Sequence, residues 1–247
     1  MSKIAEQAES LGALRSKIEL TLHTHHAGRL WTGRGIETGK PQIIGMKQFL
    51  MICGAIKQNA SKDDPYADYW LIQIEDKIHE TNAELKAVGQ LVETLMASLP
   101  PELSVEENIN VAPLKLPVYT GGQHGYLALR ALIEYDRQVR QILLAHHVAL
   151  IGRNETEALI RRAGHAIRSL CALPSKYPGY SGTTRDDFAA KNAKSADALQ
   201  KLGELPSDVL TGEHRSAFAP IIQRNTRTRA SADSGDVESS ESSADKA

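Results

Sequence analysis

Only two cysteines occur in the chain, Cys53 and Cys171, and without CxxC spacing they offer neither a disulfide framework nor a thiolate metal site. Both lie in apolar helical surroundings, the setting of reduced, buried thiols. No apolar run is long enough to span a bilayer, and the amino terminus lacks a signal-peptide core. Gly-x-Ser-x-Gly is missing, and neither cysteine carries a nucleophile signature. The run Gly28-x4-Gly33-Arg34-Gly35 lacks the Lys-Ser/Thr that would reach phosphate and magnesium. These absences predict a soluble, cytoplasmic protein that is not an enzyme, with no cofactor and no membrane partner.

What is present is one long helical seam. From Asp64 to Leu99 the positions Leu71, Ile74, Ile78, Thr81, Leu85, Val88, Val92, Leu95 and Leu99 follow gaps of three and four, and only Thr81 is not apolar. So narrow a stripe requires a partner helix packed along its length, in an α-bundle or a coiled coil. Asp64 can cap the start with Pro65 preset behind it, and Pro100-Pro101 forbids continuation. At 1.5 Å per residue the helix is roughly 50 Å long.

Charge is segregated around it. The net charge of −1 conceals a tail, residues 230–247, with five acids and one Lys, and a segment from Lys62 to Glu107 with eleven acids and three Lys. The tail is thus −4 and the segment −8, which leaves +11 for the rest of the chain. That distribution fits an anionic partner, or two halves of one fold that neutralise each other.

Along the chain the spacing predicts a short amphipathic helix over 2–15 and a half-buried strand over 17–25, where Ile18, Leu20 and Leu22 alternate with polar residues. A Gly-rich basic connector, 26–40, leads to a buried helix over 41–59 opened by Pro41, and then to the seam helix. After a loop, 113–119 reads as a second short strand, an edge strand because Pro117 cannot donate to a ladder. Helices follow over 126–150 and 154–172, the latter opened by a capping box of Asn154 and Glu157, and then over 186–202. The composition predicts a domain over 1–222 and a disordered acidic, Ser-rich tail over 223–247.

The fold class is therefore mainly α, a long-helix bundle with a short β ribbon. The order strand–helix–helix occurs twice, which is ribbon–helix–helix-like. In that architecture the polar face of a two-stranded ribbon enters the DNA major groove. The outward face would carry Lys17, Glu19, Thr21, His23 and His25 from one strand and Lys115 from the other. Lys donates to guanine and Thr contacts base edges, whereas Glu19 is unfavourable unless it accepts from cytosine. Arg29, Arg34 and Lys40 in the connector, with Arg153 and Asn154 at the start of the 154–172 helix, would hold phosphates. Asp63 and Asp64 at the corresponding start of the seam helix would repel them.

Two other constellations carry less. His23-Thr24-His25 puts two imidazoles on one strand face, as in nucleases that hold a metal and attack with a Tyr, for which Tyr177 and Tyr180 are nominees. The middle residue and the Pro/Gly loop around the tyrosines do not match, and no third ligand follows. A zinc site from His23, His25, His26, His146 and His147 lacks ligand spacing.

The phrases HTHHAGRLWTGR, KPQIIGMKQF, DDPYADYW, AHHVALI, RRAGHAIRSLCALP, GTTRDDF and GELPSDVLTG, in this order, resemble one family over Leu14 to Ile222. It is that of proteins carried by integrating conjugative elements, related to the AcaB-like regulators of conjugative plasmids. The resemblance implies a DNA-binding transcriptional regulator of conjugative transfer genes, with duplex DNA as partner; the strand pattern adds the expectation of a dimer or pseudo-dimer, its two strands from one chain or from two copies. The alternative is a non-enzymatic helical accessory or scaffold protein of the element, binding through the seam or the acidic tail.

Overall fold

The computed structural model describes residues 16–35, 39 and 41–223. The expected helix over 2–15, Lys40 and the tail from Arg224 lie outside them, although Gln223 still donates its N–H to the Ser61 carbonyl at 2.8 Å. The elements run β1 (Glu19–Leu22), α1 (His25–Thr32), α2 (Met46–Ala60), α3 (Pro65–Met96), β2 (Leu114–Pro117), α4 (Gln123–His147), α5 (Arg153–Ala172), a 3-10 turn at Leu173–Lys176, α6 (Arg185–Ala189), α7 (Ala193–Leu202) and α8 (Ser207–Thr211). The protein is mainly helical with one small antiparallel sheet.

α3 is the expected seam helix. Asp64 caps it, its Oδ1 accepting from the Tyr66 and Ala67 N–H groups at 3.0 and 3.3 Å, with Pro65 at the first position. Leu71, Ile74, Ile78, Thr81, Leu85, Val88 and Val92 are all buried, packed against α4, α5 and α2. Each buried aliphatic side chain contributes about 1.5–3 kcal/mol. The seam is therefore filled within the chain. α3 and α4 approach closely at Gly89, where a Cβ would stand 3.1 Å from Nε2 of the buried Gln138. That amide donates to the Leu85 carbonyl and to Glu134 Oε1, both at 2.8 Å.

The connector expected over 26–40 is helical for its first part. Thr24 accepts from the Ala27 N–H at 3.1 Å and caps α1, and Ala27, Leu30 and Trp31 form its buried face. The 17–25 strand accordingly stops at Leu22, and α1 intervenes where the repeated unit required α2 to follow β1 directly. α2 starts at Met46 rather than Pro41, because Arg34 and Ile43 exchange backbone hydrogen bonds of 2.9 Å in an extended bridge. Gly33 and Gly45 permit that crossing: a Cβ on Gly45 would lie 2.5 Å from the Trp31 carbonyl oxygen, and Gly33 has a φ of 73°.

β1 and β2 pair antiparallel in the register Glu19↔Pro117, Leu20↔Leu116, Thr21↔Lys115 and Leu22↔Leu114. Leu20 and Leu22 are buried while Glu19, Thr21 and Lys115 are exposed, so the ribbon is intramolecular with one apolar and one polar face. The helix expected over 186–202 is two, α6 and α7, interrupted at Lys191 (φ 49°), where Asn192 caps α7 through the Ser195 N–H.

Residues beyond α5 fold back on the start of α3. Fully buried Asp68 accepts from Arg185 Nη2 at 2.7 Å and from Arg215 Nε and Nη2 at 2.8 and 2.9 Å. Asp63 takes Arg185 Nη1 at 2.6 Å, and Asp64 takes the N–H and hydroxyl of Ser181 at 2.9 and 2.8 Å. The first-turn acids of α3 are thus satisfied from within, so repulsion of phosphate is not their role. Burial of Asp64 raises its carboxyl above the usual range, opposed by these hydrogen bonds.

Candidate nucleic-acid interface

On the polar face of the ribbon, Thr21 stands directly opposite Lys115. Lys17 precedes β1 and lies 3.1 Å from Glu19, an exposed pair in which the Lys offsets the acid beside Thr21. In water such a pair contributes less than about 1 kcal/mol and yields readily to a partner.

Beyond β1 the chain turns at His23-Thr24, and the turn is clamped from behind. Buried Asp136 of α4 accepts from the His23 N–H at 2.9 Å, the Thr24 N–H at 2.9 Å and the Thr24 hydroxyl at 2.7 Å. His23 is half-buried, its Nδ1 accepting from the Asn110 N–H at 3.2 Å. His25 is not on the strand but is the exposed first residue of α1. The two imidazoles therefore do not share a strand face, which corrects that expectation. Among the described residues no group of three or more His, Cys, Asp or Glu is placed to hold a metal. Tyr177 is fixed by Asn59, whose Nδ2 donates to its hydroxyl at 3.0 Å, and burial pushes that hydroxyl up to about 12.

Arg29 and Arg153 meet across a cleft of about 700 Å³ between α1, α4 and α5. Its rim also holds His26, His146 and Arg161, and its floor is Leu30, Leu143 and Ile160 with Tyr135 and half-buried Arg168. Periodicity explains the gathering. Arg153, Glu157, Ile160, Arg161 and Arg168 recur on one face of α5, and His26, Arg29 and Leu30 on one face of α1. Glu157 is the one carboxylate on the lining; it takes Arg153 Nε at 3.0 Å, while Arg161 Nε donates to the Glu157 carbonyl at 3.2 Å. Neither the guanidinium of Arg29 nor that of Arg168 has a hydrogen-bonding or ion-pair partner among the described residues. The positive field is felt by His26, whose pKa is lowered by burial first and then by Arg29 and His25.

The remaining expected contacts are scattered. Arg34 is half-buried and braces the loop, Nε and Nη2 donating to the Pro41 carbonyl at 3.1 and 2.9 Å. Asn154 is exposed in the first turn of α5, but it is not the cap. Gly152 holds that place, and its N–H donates to Glu155 Oε2 at 2.9 Å, so only the carboxylate half of a capping box forms, two residues earlier than the expected Asn154 and Glu157. A carboxylate already occupies that helix start, which speaks against a phosphate there. Sequence reasoning missed Arg161 and Arg168 of the cleft and weighed His26 and His146 only as zinc ligands. The signal was available in the i, i+8 and i, i+15 recurrence of Arg from Arg153 along α5.

The class is thus that of a mainly helical protein with one two-faced ribbon beside a cleft rimmed by guanidinium groups. The chain belongs to the AcaB family of transcriptional regulators, whose model, described as transcriptional regulator AcaB, matches residues 10–223. No curated protein and no solved structure matches it. Among the described residues no helix is long and apolar enough to cross a membrane.

Proposed function

We propose that this regulator binds duplex DNA through the polar face of its ribbon and acts on conjugative transfer genes carried by an integrating element. The observation that carries the reading is the Thr21–Lys115 pair, outward on a ribbon whose opposite face is held down by Leu20 and Leu22. A two-stranded ribbon fits the major groove, where Lys donates to guanine and Thr reads a base edge or a thymine methyl. Lys17 extends the same face once its pairing with Glu19 is exchanged for a phosphate or base. Exposed Arg29 and Arg153, on the cleft, supply charge for the flanking backbone, exposed His25 offers it a hydrogen bond, and half-buried His23 stands at the ribbon's end. Arg34, Lys40 and Asn154 remain candidate backbone contacts, with Arg34 the weakest because its guanidinium is engaged. Two copies of the chain would present two ribbons to half-sites about one helical turn apart.

A gel-shift titration on the element's own promoter fragments at two salt concentrations tests this. Affinity is expected to fall steeply with salt, and the double variant K17A/K115A to weaken the specific site more than random duplex. The double variant R29A/R153A is expected to lower affinity for both and to reduce the salt slope by about two. Absence of duplex binding at low salt overturns the reading and leaves the helical scaffold role.

A further inference from the structure

The cleft between α1, α4 and α5 is more than a flank of the ribbon. Tyr135 lies at its base, only 2% exposed, and its hydroxyl has no hydrogen-bond partner among the described residues. The small part of Tyr135 that stays accessible includes this hydroxyl, which opens on the cleft and is free to donate to an occupant. The guanidinium of Arg168 reaches the same point: a Cβ on Gly164 would be 3.1 Å from Arg168 Nη1 and 3.2 Å from the Tyr135 hydroxyl oxygen. Because residue 164 has no side chain, a hydroxyl and a guanidinium converge there. Arg29 and Arg161 add charge at the mouth, while Leu30, Leu143 and Ile160 offer an apolar floor too large for a bare ion.

We propose that this cleft binds a small organic phosphate, a phosphate monoester on a flat apolar body, as an effector of the protein. The phosphoryl oxygens accept from Tyr135 and Arg168 at the base, and the apolar body lies on Leu30, Leu143 and Ile160. A volume of about 700 Å³ suits a molecule of nucleotide size. An occupant bridges α1 to α5, and α1 is continuous with the corner that Asp136 clamps, so occupancy stiffens the end of the ribbon. The site does not depend on the ribbon reading DNA.

Calorimetric titration of the full chain with phenyl phosphate, AMP, inorganic phosphate and phenol tests it. Phenyl phosphate and AMP are expected to bind, and inorganic phosphate and phenol to bind about tenfold or more weakly, since each supplies only half of the chemistry. Y135F, which deletes an unpartnered hydroxyl and keeps the fold, is expected to weaken AMP several-fold, and R168A about tenfold or more. K17A/K115A is expected to bind AMP like the unaltered protein, which separates this site from the ribbon. No binding of either organic phosphate at millimolar concentration overturns the proposal, as does unchanged affinity in Y135F and R168A. Loss of duplex affinity in R168A without organic-phosphate binding overturns it too, and makes the cleft a seat for backbone phosphate.

Discussion

The hydroxyl and the N–H of Thr24 both donate to Oδ1 of Asp136, at 2.7 and 2.9 Å, across 112 residues of chain. Oδ2 of the same carboxylate takes the His23 N–H at 2.9 Å, so one side chain of α4 fixes where the ribbon ends and α1 begins. D136A strands these donors beneath the corner. It is expected to cost about 2–4 kcal/mol, to lower the melting temperature by roughly 5–12 °C, and to weaken duplex binding without touching a base. T24V removes the cap of α1 as well as one donor and is expected to cost about 1–2 kcal/mol. Thermal unfolding and gel shift read both.

Thr81 is the one polar residue of the α3 seam, and its hydroxyl is buried with no hydrogen-bond partner. T81V keeps the shape and deletes the unsatisfied group. Stability is expected to rise by about 1 kcal/mol, or about 2–4 °C in melting temperature, with DNA binding unchanged.

The carboxylate of Asp68 is fully buried between two guanidiniums, whereas Asp197 and Lys201 form an exposed pair at 2.7 Å. D68A leaves Arg185 and Arg215 without their shared partner and is expected to cost about 3–5 kcal/mol, with little dependence on salt. K201A is expected to cost less than about 0.5 kcal/mol. Denaturant titration at low and high salt distinguishes them.

His124 is buried, 2.8 Å from the Ser216 hydroxyl, and its pKa is lowered by burial and by Lys57 against the opposing pull of Glu75. The unfolded chain therefore binds the proton more readily than the folded one. Stability present at neutral pH is expected to decline as pH falls through the ordinary value of 6.5, and to go on declining until the lowered value is passed. His26, lowered for its own reasons, adds to the same slope. H124Q is expected to be less stable at pH 7.5 but to lose less on going to pH 5.5, as thermal unfolding at the two pH values will show.

Long-period signals were legible and short ones were not. The α3 seam and its Asp64-Pro65 start follow from spacing, although the helix stops at Met96, short of Leu99; the two alternating strands follow from it too, confined to Glu19–Leu22 and Leu114–Pro117 within the expected spans. α1 was read as a connector because glycine and histidine outweighed the i, i+3, i+4 recurrence of Ala27, Leu30 and Trp31 over only eight residues. Pro41 suggested a helix start, but a backbone bridge from Arg34 to Ile43 took precedence, and nothing local encodes a pairing made possible by Gly33 and Gly45. The cleft is not legible in the sequence because its basic residues come from α1 at one end of the chain and from α4 and α5 more than a hundred residues later. His26 and Arg29, His146, and Arg161 and Arg168 lie within three of the phrases that marked the family, HTHHAGRLWTGR, AHHVALI and RRAGHAIRSLCALP, while Arg153 lies between the last two.

The two strands of the ribbon are encoded on either side of α1, α2 and α3, and the clamp at Asp136 lies further along still. During synthesis β1 emerges long before the segment that pairs with it, and closing so wide a loop is among the slower steps of folding. A chain that ends anywhere before Leu114 therefore carries β1 as an unpaired edge, its backbone N–H and C=O groups open to pairing with another chain.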